Sequence, residues 1–169
     1  VVTLFHFTLP EWFTDKGGFA RRRNLALFER FACKVLDEYG PYIKWIITVN
    51  EPTVYAREGY LHGNWPPGQR SKWQAWRVLE NLIATHHHIA KLVHAKSRRL
   101  KVSMAHHISY VYPGDDAWLT RTSSGIINQL TNHYVVARTV RSSDFLGVNY
   151  YASQRVYGYR VHNPDARLS

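Results

Sequence analysis

A single cysteine, Cys33, leaves no internal disulfide to build, and its place on a helical stretch makes it a small core residue. No apolar run of about 18 residues and no secretory leader occur, so the sequence offers nothing for a membrane or for export, and a cytoplasmic chain is expected. Phosphate loops and dinucleotide fingerprints are missing too, and no cofactor is expected. Acidic residues are scarce: 12 Asp and Glu face 22 Lys and Arg, a net charge of +10. This excess invites a nucleic-acid reading through Arg21-Arg22-Arg23 and Arg98-Arg99-Leu100-Lys101. The second cluster follows a helix whose carboxyl end favours cations, and the first opens another helix. Both read as solvated surface, and no nucleic-acid module is present.

What is plentiful is aromatic surface, with 6 Trp and 11 Tyr. Flat rings suit the apolar C–H face of a pyranose, and they also fill barrels and helix–sheet layers. Trp12, Trp45 and Trp76 are expected in the core or that layer; Trp65 and Trp118 fall in loops, as ligand wall or exposed surface. His86-His87-His88 cannot share a helix face, because ligands on one helix need i, i+4 spacing. His86 lies on the apolar stripe and is expected as a hydrogen-bonded core histidine. His106-His107 end a strand and face a pocket, and no metal is expected.

Four short β-favouring runs end in polar side chains. Val2–Phe5 ends in His6, Trp45–Val49 in Asn50-Glu51-Pro52, Val102–Ala105 in His106-His107, and Phe145–Val148 in Asn149-Tyr150-Tyr151. Runs this apolar suit strands covered on both faces, and Pro52, with no N–H to donate, stops its strand and leaves Glu51 at the carboxyl end. Helical patterns fill the gaps. Leu25, Phe28, Ala32, Val35, Leu36 and Tyr39 keep one helical face, with Gly40 as stop. Ser71 with Gln74 fits a capping box, opening a second helix that runs to about Ser97. A weaker helix lies between Ala117 and Arg138. The order β-α-β-α-β-α-β predicts a parallel sheet with strands near 1–7, 44–50, 101–107 and 144–150, in a single domain over residues 1–169.

With these segments in hand the chain resembles glycoside hydrolase family 1, the retaining β-glucosidases and β-glycosidases. VTLFHFTLPEWFTDKGGF, WIITVNEP, GYLHGNWPPG and DFLGVNYY are similar, in order, to the family's third strand, its fourth strand with the acid/base glutamate, the loop after it, and its sixth strand. The resemblance implies an α/β fold, part of a (β/α)8 TIM barrel. It also implies that His6 and Asn50 bind sugar hydroxyls, that Glu51 is the general acid/base, and that Asn149 and Tyr151 stand near the nucleophile. Many members carry Trp-Asp after the His6 position, where this chain has Phe7-Thr8. That departure bears on one ring-hydroxyl contact and not on the family.

A whole barrel takes roughly 250 residues, whereas 169 hold about four strand–helix units. The family's first two strands, its seventh-strand nucleophile and its eighth strand have no counterpart, and the stretch between the fifth and sixth strands is short. Retaining hydrolysis needs two carboxyl groups about 5–5.5 Å apart. The remaining acidic residues fall on helices or in loops; Glu58, nearest to Glu51, reads as a solvated loop carboxylate. The outer strands of a four-strand parallel sheet would expose unpaired backbone groups, so a partner is expected: a complementary half-barrel, a second copy, or the rest of a longer precursor. The abrupt start at Val1 and stop at Ser169 favour a piece of a larger enzyme. Two functions are compatible with these features: a β-glucosidase-type hydrolase acting on β-glucosides or oligosaccharides with its nucleophile elsewhere, or a catalytically inactive sugar-binding or assembly module.

Overall fold

In the computed structural model, which describes residues 1–163, four parallel strands alternate with helices. In chain order they are β1 (Val2–Thr3), α1 (Glu11–Asp15), α2 (Leu25–Tyr39), β2 (Trp45–Asn50), α3 (Pro52–Ala56), α4 (Lys72–Lys96), β3 (Lys101–Pro113), α5 (Trp118–Asn128), α6 (Tyr134–Thr139), β4 (Gly147–Tyr157) and β5 (Arg160–His162). The sheet order is β1-β2-β3-β4-β5, parallel except for the β4–β5 hairpin. This is half of a (β/α)8 barrel. The stop at Ser169 lies outside the described residues.

Helix α2 buries Leu25, Phe28, Ala32 and Leu36, the stripe expected of it, while Tyr39 at its end turns out to solvent. Helix α4 starts where Ser71 Oγ accepts from the Gln74 N–H (3.3 Å), half of the predicted capping box, and satisfies an otherwise orphaned donor. The weaker helix is real but broken: α5 and α6 flank a wide π-type turn over Gln129–His133. Beneath the first strands Phe5, Phe19, Phe28 and Tyr55 meet edge-on or tilted, with centroids 4.9–6.4 Å apart, a packing that suits aromatic quadrupoles.

Strand lengths depart from the sequence reading. β1 is only two residues by regular pairing, although Leu4 N–H to Ile47 O and Asn50 N–H to Phe5 O carry the contact upward. β3 and β4 run further than expected because above the barrel they pair with each other from Ala105↔Gly147 to Pro113↔Val156. β5 then covers the upper edge of β4, leaving β1 and the lower part of β4 as open edges. Along that lower part Val148 and Tyr150 are exposed, as is Leu146 just ahead of it.

Trp12, Trp45 and Trp76 are not core residues: they are 52%, 43% and 43% exposed. Trp12 projects from the short α1 with Lys16 over its ring, Trp45 opens β2 at the rim against Phe145, and Trp76 lies on Tyr134. Cys33 is half-buried on α2. No helix among the described residues is long and apolar enough to cross a membrane.

His86, fully buried on α4, ties the helix layer to the sheet. Its Nδ1 meets Thr48 Oγ1 on β2 (2.8 Å) and its Nε2 meets Ser143 Oγ ahead of β4 (3.2 Å). Ser143 donates its proton to Thr139 O (3.0 Å), so its oxygen accepts from Nε2–H, and Thr48 donates to Nδ1. The neutral ring is fully satisfied. Burial, with the charges of neighbouring histidines adding, pushes its pKa down to about 3.

Candidate active site

Between Ile47 and Asn50 strand β2 advances three residues while β3 advances two, from Ser103 to Ala105. That bulge re-aims the carboxyl end of β2. With strict alternation Asn50 would share the face of Thr48, which points at His86 on α4; with one extra residue it shares the face of Ile47. Glu51 comes next with φ +43° and ψ +62°, a left-handed backbone that a non-glycine residue holds at a cost of about 1–3 kcal/mol. Its N–H bonds Ala105 O (2.7 Å), and Pro52 opens α3 directly behind it. The conformation is fixed from both sides.

The five residues singled out from the sequence form one connected network. Asn50 Nδ2 donates to His6 Nε2 (3.3 Å), and Asn149 Nδ2 donates to Asn50 Oδ1 (3.1 Å). Asn149 Nδ2 and the Tyr151 hydroxyl both donate to Glu51 Oε1, at 2.6 and 2.8 Å. Glu51 is 4% exposed, so these donors act in a poorly solvated place, where each hydrogen bond is stronger than it would be in water. In return the bond to Glu51, with burial adding, pushes the Tyr151 phenol above its ordinary value.

His107 belongs to the same constellation. It is the β3 register partner of Asn149, its ring stacks on Tyr151 (5.5 Å, 20°), and its Nε2 meets Ser109 Oγ (3.0 Å). Burial lowers its pKa while the nearby Glu51 charge pulls it up. The strand-end position hinted at a pocket; the stack on Tyr151 needed the β3–β4 register. On the other side Phe7 (φ +71°) stands edge-on to His6 and packs against Trp65 (4.9 Å), so Trp65 is held by a ring contact rather than lying free. Trp118, the other loop tryptophan, is exposed.

Glu58 is not the solvated carboxylate expected. It sits on a π-type turn over Arg57–His62 with Oε1 on Arg57 Nε (2.7 Å) and Oε2 on Asn64 Nδ2 (2.7 Å). Burial raises its pKa, but the bonds from Arg57 and Asn64 and the charges of Arg57 and His62 outweigh that and hold it below the ordinary range. It clamps the loop. Other carboxylates are likewise occupied away from Glu51: Asp144 by His94 and the Val102 N–H, Glu80 by Arg138 and Tyr134, Glu29 by His88, Asp37 by Lys96. Asp165 lies outside the described residues. Among the described residues no group of three or more His, Cys, Asp or Glu is placed to hold a metal ion.

Half a parallel barrel, with a carboxylate, two carboxamides, a phenol and a histidine gathered at the carboxyl ends of its strands, is the architecture of a barrel glycosidase. The family model of glycosyl hydrolase family 1 matches residues 1–141, and the chain belongs to that family. β-Glucosidase A of Thermotoga maritima is 26% identical over 85% of this chain and 32% of its own length. The galactolipid galactosyltransferase SFR2 of Arabidopsis thaliana is 27% identical over 94% of this chain and 27% of its own length. Among solved structures the β-glycosidase of Pyrococcus horikoshii superposes with a TM-score of 0.84 at 34% identity, covering 92% of this chain and 39% of that one. The chain thus spans about a quarter to two-fifths of these relatives.

Proposed function

We propose that this chain is the acid/base half of a β-glucosidase-type retaining glycosidase. The observation that carries the reading is the convergence of Asn149 and Tyr151 on one oxygen of a buried strand-end glutamate, beside His6 and Asn50. In this reading Glu51 first protonates the departing glycosidic oxygen and then, as a carboxylate, takes a proton from water. His6 and Asn50 hold hydroxyls of the glycon. Asn149 and Tyr151 steady Glu51 and flank the place of the second carboxylate. That group, which must attack the anomeric carbon, comes from the missing strands, carried by a complementary half-barrel or by the rest of a longer precursor, docked along the open edges at β1 and lower β4; a second copy of this chain could cover those edges but brings no nucleophile of its own. The substrate class is a β-glucoside or β-linked oligosaccharide.

The engagement of Glu29, Asp37, Glu58, Glu80 and Asp144 away from Glu51 is equally compatible with a second reading, a sugar-binding or assembly module that keeps the pocket without the reaction. One experiment separates the two. A mechanism-based fluorosugar should leave no covalent adduct on the purified chain by intact mass, and adduct and aryl β-glucoside turnover should both appear once the missing strands are supplied. Turnover that never appears leaves the binding module; an adduct on one of this chain's own Asp or Glu residues sinks the claim that the nucleophile lies elsewhere.

The open edges also predict self-association or capture of the complementary half. Sedimentation at micromolar concentration should give a dimer or larger species, and a cooperatively folded monomer would contradict it.

A further inference from the structure

On the second turn of α4, Arg77 carries a buried Nε with no hydrogen-bond partner, and none of the ion pairs among the described residues involves it. A guanidinium has five N–H donors and no acceptor, so it cannot satisfy itself, and burying part of it unpaired is costly. Arg77 lines a cavity of about 270 Å³ with Arg21, Gln69, Gln74, Thr14 and Tyr60. Arg21 likewise takes part in no ion pair among the described residues, and no Asp or Glu is among the lining residues. The lining thus includes two arginines, two glutamines, a threonine and a tyrosine beside Gly17, Ala20 and Pro67, with no internal counter-charge.

The frame around these donors is built rather than loose. Gln69 N–H bonds Gly59 O (3.0 Å), Gly68 N–H bonds Trp65 O (2.8 Å), and Ser71 caps α4 just before Gln74. The positive end of the α4 dipole lies on the same side. The volume falls below the roughly 300–1,000 Å³ of pockets that enclose whole drug-sized ligands. It suits a small anion with water, or one substituent of a larger molecule. None of His6, Asn50, Glu51, Asn149 or Tyr151 lines it, so it is separate from the sugar site.

We propose that this cavity binds a tetrahedral oxyanion, a phosphate or sulfate group either free or carried on a sugar. Arg77 and Arg21 neutralise the charge, as planar forks matched to such oxygens, and Gln69 and Gln74 add neutral N–H donors.

The test uses the full chain, isotopically labelled, titrated with inorganic phosphate at constant ionic strength set by chloride. Saturable movement of the Arg77 and Arg21 Nε–H resonances is expected, with Arg98 and Arg99 still. Arg77→Gln and Arg21→Gln should each weaken phosphate binding about tenfold or more, the scale of losing a charge-assisted hydrogen bond. Glu51→Gln should bind phosphate like the parent, which keeps this test independent of the glycosidase reading. A parallel titration with glucose 6-phosphate assigns the source: tighter binding than phosphate indicates a sugar-borne group, equal or weaker binding the free ion. Shifts that never saturate, that appear equally at Arg98 and Arg99, or that persist unchanged in Arg77→Gln overturn the proposal. Should Arg77→Gln fail to fold, the parent titration and the exposed-site variant Arg21→Gln decide the matter.

Discussion

Glu51→Gln is expected to lower β-glucoside hydrolysis by the assembled barrel by about 10²–10⁴-fold, the usual contribution of a general acid or base, while sugar binding stays within a few-fold. The carboxamide keeps an oxygen where Asn149 Nδ2 and the Tyr151 hydroxyl now converge, so the network that positions residue 51 survives. What is lost, on the proposed reading, is the proton that a general acid/base at residue 51 gives and retrieves. His6 and Asn50, assigned to the glycon, are untouched. The left-handed backbone at position 51 is no harder for Gln than for Glu, so folding should be unaffected. Turnover of an aryl β-glucoside, paired with calorimetry of sugar binding, checks this: kcat should collapse with KM nearly unchanged, the signature of an interaction used in the transition state. A variant that unfolds would instead make Glu51 a structural residue.

Acid should loosen the fold well before most carboxylates titrate, through His86 and His106. Burial pushes their pKa values to about 3 and about 4, against an ordinary value of 6.5. The folded state therefore holds both rings neutral, and the unfolded chain takes up protons first. Their contribution is fully present above about pH 6.5 and is lost as pH falls toward the folded values. At pH 4 the loss is on the order of 3 kcal/mol for each ring, a large part of a typical domain's stability. For His86 the cause is burial beneath the sheet, to which the charges of neighbouring His87 and His106 add. Urea unfolding between pH 7 and 5 should show stability falling steeply in the parent and less in His86→Gln, which cannot titrate. Equal slopes would show that burial of this ring does not set the acid limit. Glu80 and Asp144, held ionised by Arg138 and by His94, add their own losses only lower, within the carboxylate range.

Much of this was legible in the chain because it depends on neighbours in sequence. The alternation of apolar runs with amphipathic stretches set the β-α-β order, Ser71 marked the start of α4, and Pro52 placed Glu51 at a strand's carboxyl end. Even the buried role of His86 followed from its place on a helical stripe. Periodicity, however, reports facing only while pairing stays regular. The bulge in β2 turns Asn50 away from α4, and it exists because β2 must pair with a particular register of β3. Likewise β3 and β4 outrun their apolar segments because their upper halves have each other as partners, and that same register brings His107 under Tyr151. Composition made core candidates of Trp12, Trp45 and Trp76, yet exposure is settled by where a helix end or strand start meets the rim, a three-dimensional fact. Sequence by itself determined which residue types stand at the ends of which strands. Only the tertiary structure decided that Asn149 and Tyr151, about a hundred positions from Glu51, close on one of its oxygens, since hydrogen bonds of 2.6 and 2.8 Å require a register that no local pattern encodes.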